Sequence, residues 1–517
     1  MTMPSETWSK TFFRDITAGI VVFLVALPLC LGVALASNAP LFSGLLAGII
    51  GGIVVGFLSG SQSSVSGPAA GLTAVVAMQI VSLGSFQAFL LALAIAGAIQ
   101  VALGVAKLGI IAEFIPSSVI KGLLAAIGVI LIMKQLPVVV GYRSAAVGTD
   151  GWNFSTFLDQ FHLGSVIIGI VSVVVLEIWS HSPVLKKTQI PSPLIVVLLG
   201  VGMSSVFRLF EGRIALDASL LVQVPGAASI QEFFGFLQLP DFTQLAKPVI
   251  YTSAFTIAVV ASLETLLNLE AVDKIDPQKR LSPPNRELIA QGIGNSISGL
   301  IGGLPITSVI VRSSVNLNAG GRTKLATIAH GVLLLVSVLL LPTWLNQIPL
   351  SCLAAILVTT GYKLANPALV KKKWGKGYSQ FLPFIVTVVA IVATDLLMGV
   401  LIGLGVAIFF ILYSNLKTPV RQTIKHTASG DVVQIELPNQ VSFLNRASLT
   451  YALHQVPRGG HVVLDARSTH YIDPDVIEMI RDFKELTDPP YDVHVSLLGF
   501  NGKYGFEDHL QYDPVTS

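Results

Sequence analysis

Residues 64–71 read Ser64-Val65-Ser66-Gly67-Pro68-Ala69-Ala70-Gly71, and residues 302–308 read Gly302-Gly303-Leu304-Pro305-Ile306-Thr307-Ser308. Each opens an apolar segment, near 66–81 and 306–318, that is too short to cross a bilayer, which takes about 20 mostly apolar residues. Two short segments, each opened by Gly and Pro and standing at matching places in the two halves of a membrane chain, point to a binding site near the bilayer midplane.

Working outward, further apolar segments lie near 14–36, 41–58, 86–107, 112–134, 162–180, 192–208, 250–271, 285–301, 323–341, 349–364, 379–395 and 398–416. With the two short ones they make about fourteen. Of 517 residues, 53% are apolar and 12% charged, whereas soluble domains are about one quarter charged. Lipid is therefore the solvent of most of this chain. A net charge of +3 offers no electrostatic footprint for nucleic acid. The first apolar run is too long for the h-region of a cleaved signal peptide. Cys30 and Cys352 both fall in apolar runs and read as packing residues, not a disulfide.

Loop charges test the segment count independently, because Lys and Arg collect in cytoplasmic loops. With Lys10 and Arg14 placed inside, alternation also puts inside Lys186 and Lys187; Lys274, Lys279, Arg280 and Arg286; Arg322 and Lys324; and Lys371, Lys372, Lys373 and Lys376. The outer loops hold Arg143, Arg213 and Lys247. Seven segments precede the polar stretch 209–249 and seven follow it. An odd number per half makes the halves run oppositely, as inverted repeats over about 14–208 and 250–416. The expected fold is an α-helical polytopic membrane domain over 1–420 and a small cytoplasmic α/β domain over 425–517. In the latter, 432–437, 461–465 and 493–498 read as strands and 475–486 as a helix.

A helix N-terminus carries roughly +0.5 charge and several free N–H donors. Two half-helices opening toward one point would hold a small anion without a full cationic partner. Ser66, Gly67, Ala69 and Ala70 are small enough to expose the first such end, and Ile306, Thr307 and Ser308 border the second. Gly and Pro would also serve tight helix packing alone. Pro28, beside Leu29 and Cys30, is expected to break the first span, which would then line the pocket.

Glu264 lies inside an apolar span, where a carboxylate must be neutralised or wetted. Beside an anion it would repel the substrate unless a coupling cation, Na+ or H+, is also bound. Asn268 lies one turn on along the same face. Its carbonyl, with Thr307 and nearby backbone oxygens, would complete a shell for Na+. Arg312, near the start of the second short helix, either offsets Glu264 and supports the anion or snorkels to the inner face. Glu177 and Asp395 fall near segment ends, and Glu270 and Asp273 at the inner mouth of the Glu264 segment. Asn295 and His330 read as helix–helix hydrogen bonds. No phosphate-cradling GxxxxGK[ST], HExxH or clustered Cys/His set occurs. Neither catalysis nor a resident cofactor is expected; Na+ enters only as a coupling ion.

Gly67-Pro68-Ala69-Ala70-Gly71, Ser262-Leu263-Glu264-Thr265-Leu266-Leu267 and Asn285-Arg286-Glu287-Leu288-Ile289-Ala290-Gln291-Gly292 with Gly302-Gly303-Leu304-Pro305 resemble the SulP anion permeases. So do Arg312-Ser313, Asn316 and Ala319-Gly320-Gly321-Arg322-Thr323. The resemblance covers nearly the whole chain, and the C-terminal region is similar to that family's STAS domain. It implies fourteen helices in two inverted seven-helix repeats, a mobile core against a gate domain, and a homodimer in the lipid membrane. It also implies an anion held between the first, third, eighth and tenth helices. In the family's cyanobacterial bicarbonate transporters, residues at the Glu264 and Asn268 positions bind Na+; they are Asp and Thr there, and Glu and Asn here. The phosphorylatable Ser of related STAS loops is missing from Tyr471-Ile472-Asp473-Pro474-Asp475-Val476, so no phospho-switch is expected there. Ile306-Thr307-Ser308 is bulkier than the family's usual Gly/Ala run, which favours a small anion.

The leading reading is a secondary active transporter in a bacterial inner membrane, with bicarbonate uptake coupled to Na+. The alternative is sulfate or dicarboxylate uptake with H+, or anion exchange, because a dipole site reads charge and size more than chemistry. A nucleobase permease would want aromatic stacking groups at the pocket. A membrane sensor that transports nothing would have no use for Glu264. Saturable, coupled uptake separates a carrier from an anion leak.

Overall fold

The structure is a computed structural model that describes residues 8–110, 116–142, 162–187, 191–210, 214–225, 230–394, 396–416, 421–427, 430–457, 460–486 and 493–500. Arg143, Arg213 and Asp395 lie outside the described residues. The chain divides into two compact units, Met1–Leu404 and Gly405–Ser517.

Helix occupies every apolar segment read from the sequence. In chain order the first unit carries α1 (Trp8–Ala36), α2 (Leu41–Leu58), a strand β1 (Ser66–Pro68), α3 (Thr73–Leu83), α4 (Phe86–Val105), α5 (Ser117–Val139), α6 (Leu163–His181) and α7 (Ser192–Phe207). It continues with α8 (Pro248–Ile275), α9 (Pro284–Ile301), a strand β2 (Ile306–Ser308), α10 (Ile310–Asn318), α11 (Lys324–Leu340), α12 (Leu350–Leu364), α13 (Tyr378–Ala393) and α14 (Leu396–Leu416). Among the described residues, 7 helices are long and apolar enough to cross a membrane, α1 and α8 among them. The unit boundary falls within α14.

The distribution of polarity is that of a protein dissolved in lipid. Ile170, Val174 and Ile178 on α6, Leu198 and Leu199 on α7, and Leu401, Ile408 and Phe409 on α14 are exposed. Gln100, Glu287, Gln291, Asn295, Arg312 and Asn316 are buried. In a bilayer, polar groups turn inward because no water waits outside. Small residues let the backbones close up: a Cβ on Gly292 of α9 would lie 2.7 Å from the Gly97 carbonyl oxygen of α4.

Two expectations need correction. Pro28 does not break the first span; α1 runs unbroken from Trp8 to Ala36 with Pro28 inside it. A proline removes one ladder bond, and a buried helix of this length survives the loss. The interruptions before the two short helices are not bare helix ends either. They are the two three-residue strands, which pair antiparallel with Ser66 opposite Ser308, Gly67 opposite Thr307 and Pro68 opposite Ile306. Beside them α2 widens into a π-helical stretch at Gly51–Val55, a deviation frequent at functional sites. A Cβ on Gly51 would lie 2.6 Å from the Ser66 carbonyl oxygen, so the strand lies directly on the backbone of α2.

The second unit continues past α14 into a four-stranded sheet. Its strands are β3 (Arg421–Thr427), β4 (Gly430–Glu436), β5 (His461–Asp465) and β6 (His494–Leu498), in the order β3-β4-β5-β6. The first pair is antiparallel and the other two are parallel. Val433, Ile435, Val462, Leu464 and Leu497 pack against Leu449 and Leu453 of α15 (Arg446–His454) and Val476 and Ile480 of α16 (Pro474–Leu486). The sheet thus starts at Arg421, ahead of the expected 425, and β3 and α15 are elements that the sequence reading did not include. In the stretch that lacks the phosphorylatable Ser, Asp473 Oδ1 accepts the Asp475 N–H at 3.0 Å and starts α16, with Pro474 as its first residue.

Candidate functional site

The β1–β2 pair is held from all sides by polar groups buried among apolar helices. Val309 N–H donates to Val65 O at 3.0 Å, and Ser64 and Ser308 hydroxyls meet at 2.7 Å. On α9, Asn295 acts as a further strand residue: its Nδ2 donates to Ile306 O at 3.1 Å and its Oδ1 accepts Ile306 N–H at 2.6 Å. Gln100 of α4 fixes that amide, accepting from Nδ2 at 2.6 Å. One turn earlier on α9, Gln291 Nε2 donates to Ser66 Oγ at 2.7 Å and to Glu287 Oε1 at 2.9 Å. Ser59 Oγ donates to Glu287 Oε2 at 2.5 Å. Gln291 Oε1 alone of this set is buried with no partner, and a hydrogen-bonded network of this kind rigidifies what it surrounds.

Arg312 stands in the first turn of α10 and is 0% exposed. Snorkelling to the inner face is thereby excluded. Its Nη2 donates to Pro68 O at 3.3 Å and to Cys30 Sγ at 3.4 Å. Nε and Nη1 are buried with no hydrogen-bond partner. The guanidinium lies against Gly67: a Cβ there would lie 3.1 Å from Arg312 Cζ, so only glycine leaves it room. A charged group with two N–H-bearing nitrogens left over in a buried site is costly unless an acceptor joins it, and these donors fit an oxyanion.

Glu264 comes from the other direction, on α8. Its carboxylate is packed on Gly71, where a Cβ would lie 2.7 Å from Cδ and 2.8 Å from Oε2. Gly71 belongs to the 3-10 turn Ala70–Leu72 that opens α3. Oε2 is buried with no partner. One turn on, Asn268 Nδ2 donates to Ser308 O at 2.7 Å, which ties α8 to β2 and leaves Oδ1 as an acceptor.

Most sequence-derived site residues therefore gather around one strand pair, in unequal roles. Ser66, Gly67, Thr307 and Ser308 lie in the strands, with Ala69 and Ala70 just after β1. Cys30 contacts Arg312, while Pro28 is buried two residues before it in α1. Ile306 is not a ligand: both its backbone groups are used by Asn295, and its side chain is in the core. Ser66 Oγ accepts from Gln291 Nε2 and keeps its own proton to donate, whereas Thr307 Oγ1 donates to Ser308 O at 3.2 Å, so the Thr307 hydroxyl proton is not free for an anion in this arrangement. Asn295 makes the inter-helix bonds expected of it. His330 bonds only within its own helix, Nδ1 lying 3.1 Å from Thr327 O. Glu270 pairs with Lys274, Asp273 accepts Ser282 N–H at 2.8 Å, and Glu177 pairs with His181 at 3.3 Å. Glu287, Gln291 and Gln100 were missed as parts of the site. Glu287 stands three residues into α9 and is buried there.

The model of the sulfate permease family matches residues 12–389. The chain belongs to the sulfate permease family. It is an anion transporter of that family and not an enzyme. YvdB of Bacillus subtilis, named provisionally as a sulfate transporter, is 27% identical over 477 residues, 90% of this chain and 87% of that one. The bicarbonate transporter BicA of Picosynechococcus is 27% identical over 433 residues, 80% of this chain and 74% of that one. The solved transmembrane domain of a cyanobacterial BicA superposes with a TM-score of 0.64 at 25% identity, covering 78% of this chain and 99% of that domain. A structure of the anion transporter Slc26a9 from mouse, at 18% identity, shares the fold, with a TM-score of 0.76 over 96% of this chain and 86% of that one. Permeases of the sulfate family are thus matched in the region that holds the strand pair, Glu264 and Arg312.

Proposed function

We propose that this permease takes up bicarbonate coupled to Na+. The observation that carries the proposal is the pair of unsatisfied, oppositely charged groups around one strand pair, Arg312 with free N–H donors and Glu264 with a free carboxylate oxygen. The anion accepts from Arg312 Nε and Nη1 and from the first-turn amides of α10. The cation binds Glu264 Oε2, with Asn268 Oδ1 and the Thr307 carbonyl as further oxygens. Each ion offsets the charge that would otherwise repel or strand the other, which is what links the fluxes. The helices work as fourteen crossings in two inverted repeats. The antiparallel register of β1 on β2 supports an inverted relation between them. One repeat-derived core moves against a gate in an elevator-like cycle, in a homodimer. The protein lies in a bacterial inner membrane with its N-terminus and its α/β domain, read as STAS, in the cytoplasm.

A second reading, sulfate uptake with H+, is favoured by the same Oε2: a buried carboxyl oxygen without a partner suits a proton carrier as well as a Na+ ligand. The test is uptake of labelled bicarbonate and sulfate by the purified protein in proteoliposomes, with an inward Na+ gradient, with a pH gradient, and with neither. Bicarbonate accumulation that requires Na+ is the expected result. Sulfate accumulation driven by pH alone would recast Glu264 as a proton carrier and overturn the substrate assignment.

A further inference from the structure

Away from the strand pair, a second cavity of about 240 Å³ opens between the last residues of α1, the last turn of α5, the first turn of α6, the turn at Ala218–Leu220 and the first residues of α12. None of the residues around β1 and β2 lines it. Its polar wall includes Asn38, Lys134, Gln135, Ser165, Ser219 and Ser351. Among the described residues, no carboxylate lines it.

Three observations at this cavity point to a ligand. Lys134 is half-buried within an apolar helix, with no carboxylate beside it among the described residues; a cation so placed marks function by default. Ser351 and Gln135 are each 2% exposed, yet Ser351 Oγ and Gln135 Oε1 have no hydrogen-bond partner. The N-terminus of α12, a 15-residue helix, has Pro349 as its cap and no side chain satisfying its first amides, and Leu350 and Ser351 line the cavity. Ammonium, hydroxyl and helix N-terminus together make a set of donors around a polar space.

We propose that this cavity is a second anion site, which holds a small oxyanion before or after it occupies the central one. The anion's oxygens accept from Lys134 Nζ, Ser351 Oγ and the first amides of α12. Gln135 can turn its oxygen to the hydroxyl of a protonated oxyanion such as bicarbonate, or its nitrogen to sulfate. With α1 entering from inside, its far end at Ala36 puts the site at the outer face. That sidedness rests on the topology proposed above, whereas the binding of an anion here does not.

The test uses the full-length protein with Ser219→Cys as a reporter in the cavity wall; Cys30 and Cys352 are buried. The rate of modification by a membrane-impermeant thiol reagent is measured in gluconate, then with sulfate or bicarbonate added, with Lys134 intact and with Lys134→Gln. The expected result is anion-dependent slowing that Lys134→Gln removes and Lys134→Arg keeps. In parallel, the half-saturating external anion concentration rises about tenfold in Lys134→Gln, the loss of one charge-assisted hydrogen bond. Labelling that ignores both anions while Lys134 is present means a water-filled cavity and overturns the site. Protection seen only when reagent is added from inside upholds the site and overturns the topology.

Discussion

The two broken elements share a backbone plan and differ in chemistry. Each is a three-residue strand leading into a short helix, and the two strands pair in register. The first reads Ser66-Gly67-Pro68 and leads into α3, which has no charged residue. The second reads Ile306-Thr307-Ser308 and leads into α10, which carries Arg312 and Asn316. The first element supplies space and the second supplies charge. Arg312 crosses from α10 to fill the room left by Gly67, and Glu264 comes from α8 to fill the room left by Gly71. No ion pair joins the two among the described residues, and both keep a free polar atom. A duplicated geometry thus holds one buried guanidinium and one buried carboxylate, the pair on which the proposed coupling rests.

Breaking the cation side should have the largest effect. Glu264→Ala is expected to lower gradient-driven uptake by about 100-fold, near the upper end of what an inter-site coupling of ~3 kcal/mol carries, with insertion and monodispersity kept. Full accumulation by this variant would remove Glu264 from coupling. Next, Ser66→Asp puts a negative charge on β1 where Ser66 Oγ now meets Gln291, one residue from the Gly67 that Arg312 lies against. It should raise the half-saturating anion concentration about tenfold or more, the loss of ~1.4 kcal/mol; unchanged affinity would move the anion elsewhere.

The sharpest comparison is between two conservative glycine substitutions. Gly67→Ala pushes a methyl into Arg312, and Gly71→Ala pushes one into Glu264. Each should cost about tenfold, ~1.4 kcal/mol, but in different quantities: anion affinity for Gly67→Ala, cation dependence for Gly71→Ala. Equal damage to both quantities in both variants would mean that the division of labour is false.

The smallest effect lies in the α/β unit, where the Arg467 side chain, bonded to Asp465 at 2.5 and 2.9 Å, holds the Asp465 carboxyl below its ordinary range. Its stabilisation is fully present above the unfolded value of about 3.9 and is lost as pH falls through the lower folded value. Asp465→Asn should flatten the acid limb of that unit's unfolding curve by under about 1 kcal/mol, since Arg467 is 67% exposed; an unaltered limb would deny the pair any role.

Much of this was legible before any coordinates. Helix lies on every apolar segment, because long apolar runs leave a backbone in lipid little else to do. Glu264 and the two broken segments stood out, since Gly, Pro and a carboxylate are conspicuous in such surroundings. The strands were not legible: Ser66-Gly67-Pro68 contains two residues that strands avoid, and three residues carry no periodicity. Nor was the fate of Arg312, which depends on the missing side chain at Gly67 across the pair. Glu287 and Gln291 stood in the sequence only within the stretch that carries the family resemblance, since their burial depends on how α9 packs. Pro28 misled for the opposite reason, as a strong local signal that a long buried helix absorbs.

The most direct test of the central claim separates exchange from accumulation. Proteoliposomes preloaded with unlabelled anion are assayed for uptake of labelled anion by counterflow, and matched empty vesicles for uptake driven by a cation gradient, in Glu264→Gln and Arg312→Gln. The account predicts that Glu264→Gln retains counterflow and loses gradient-driven accumulation, while Arg312→Gln loses both. Accumulation by Glu264→Gln at the unmodified level, or counterflow by Arg312→Gln with unchanged anion affinity, would contradict it.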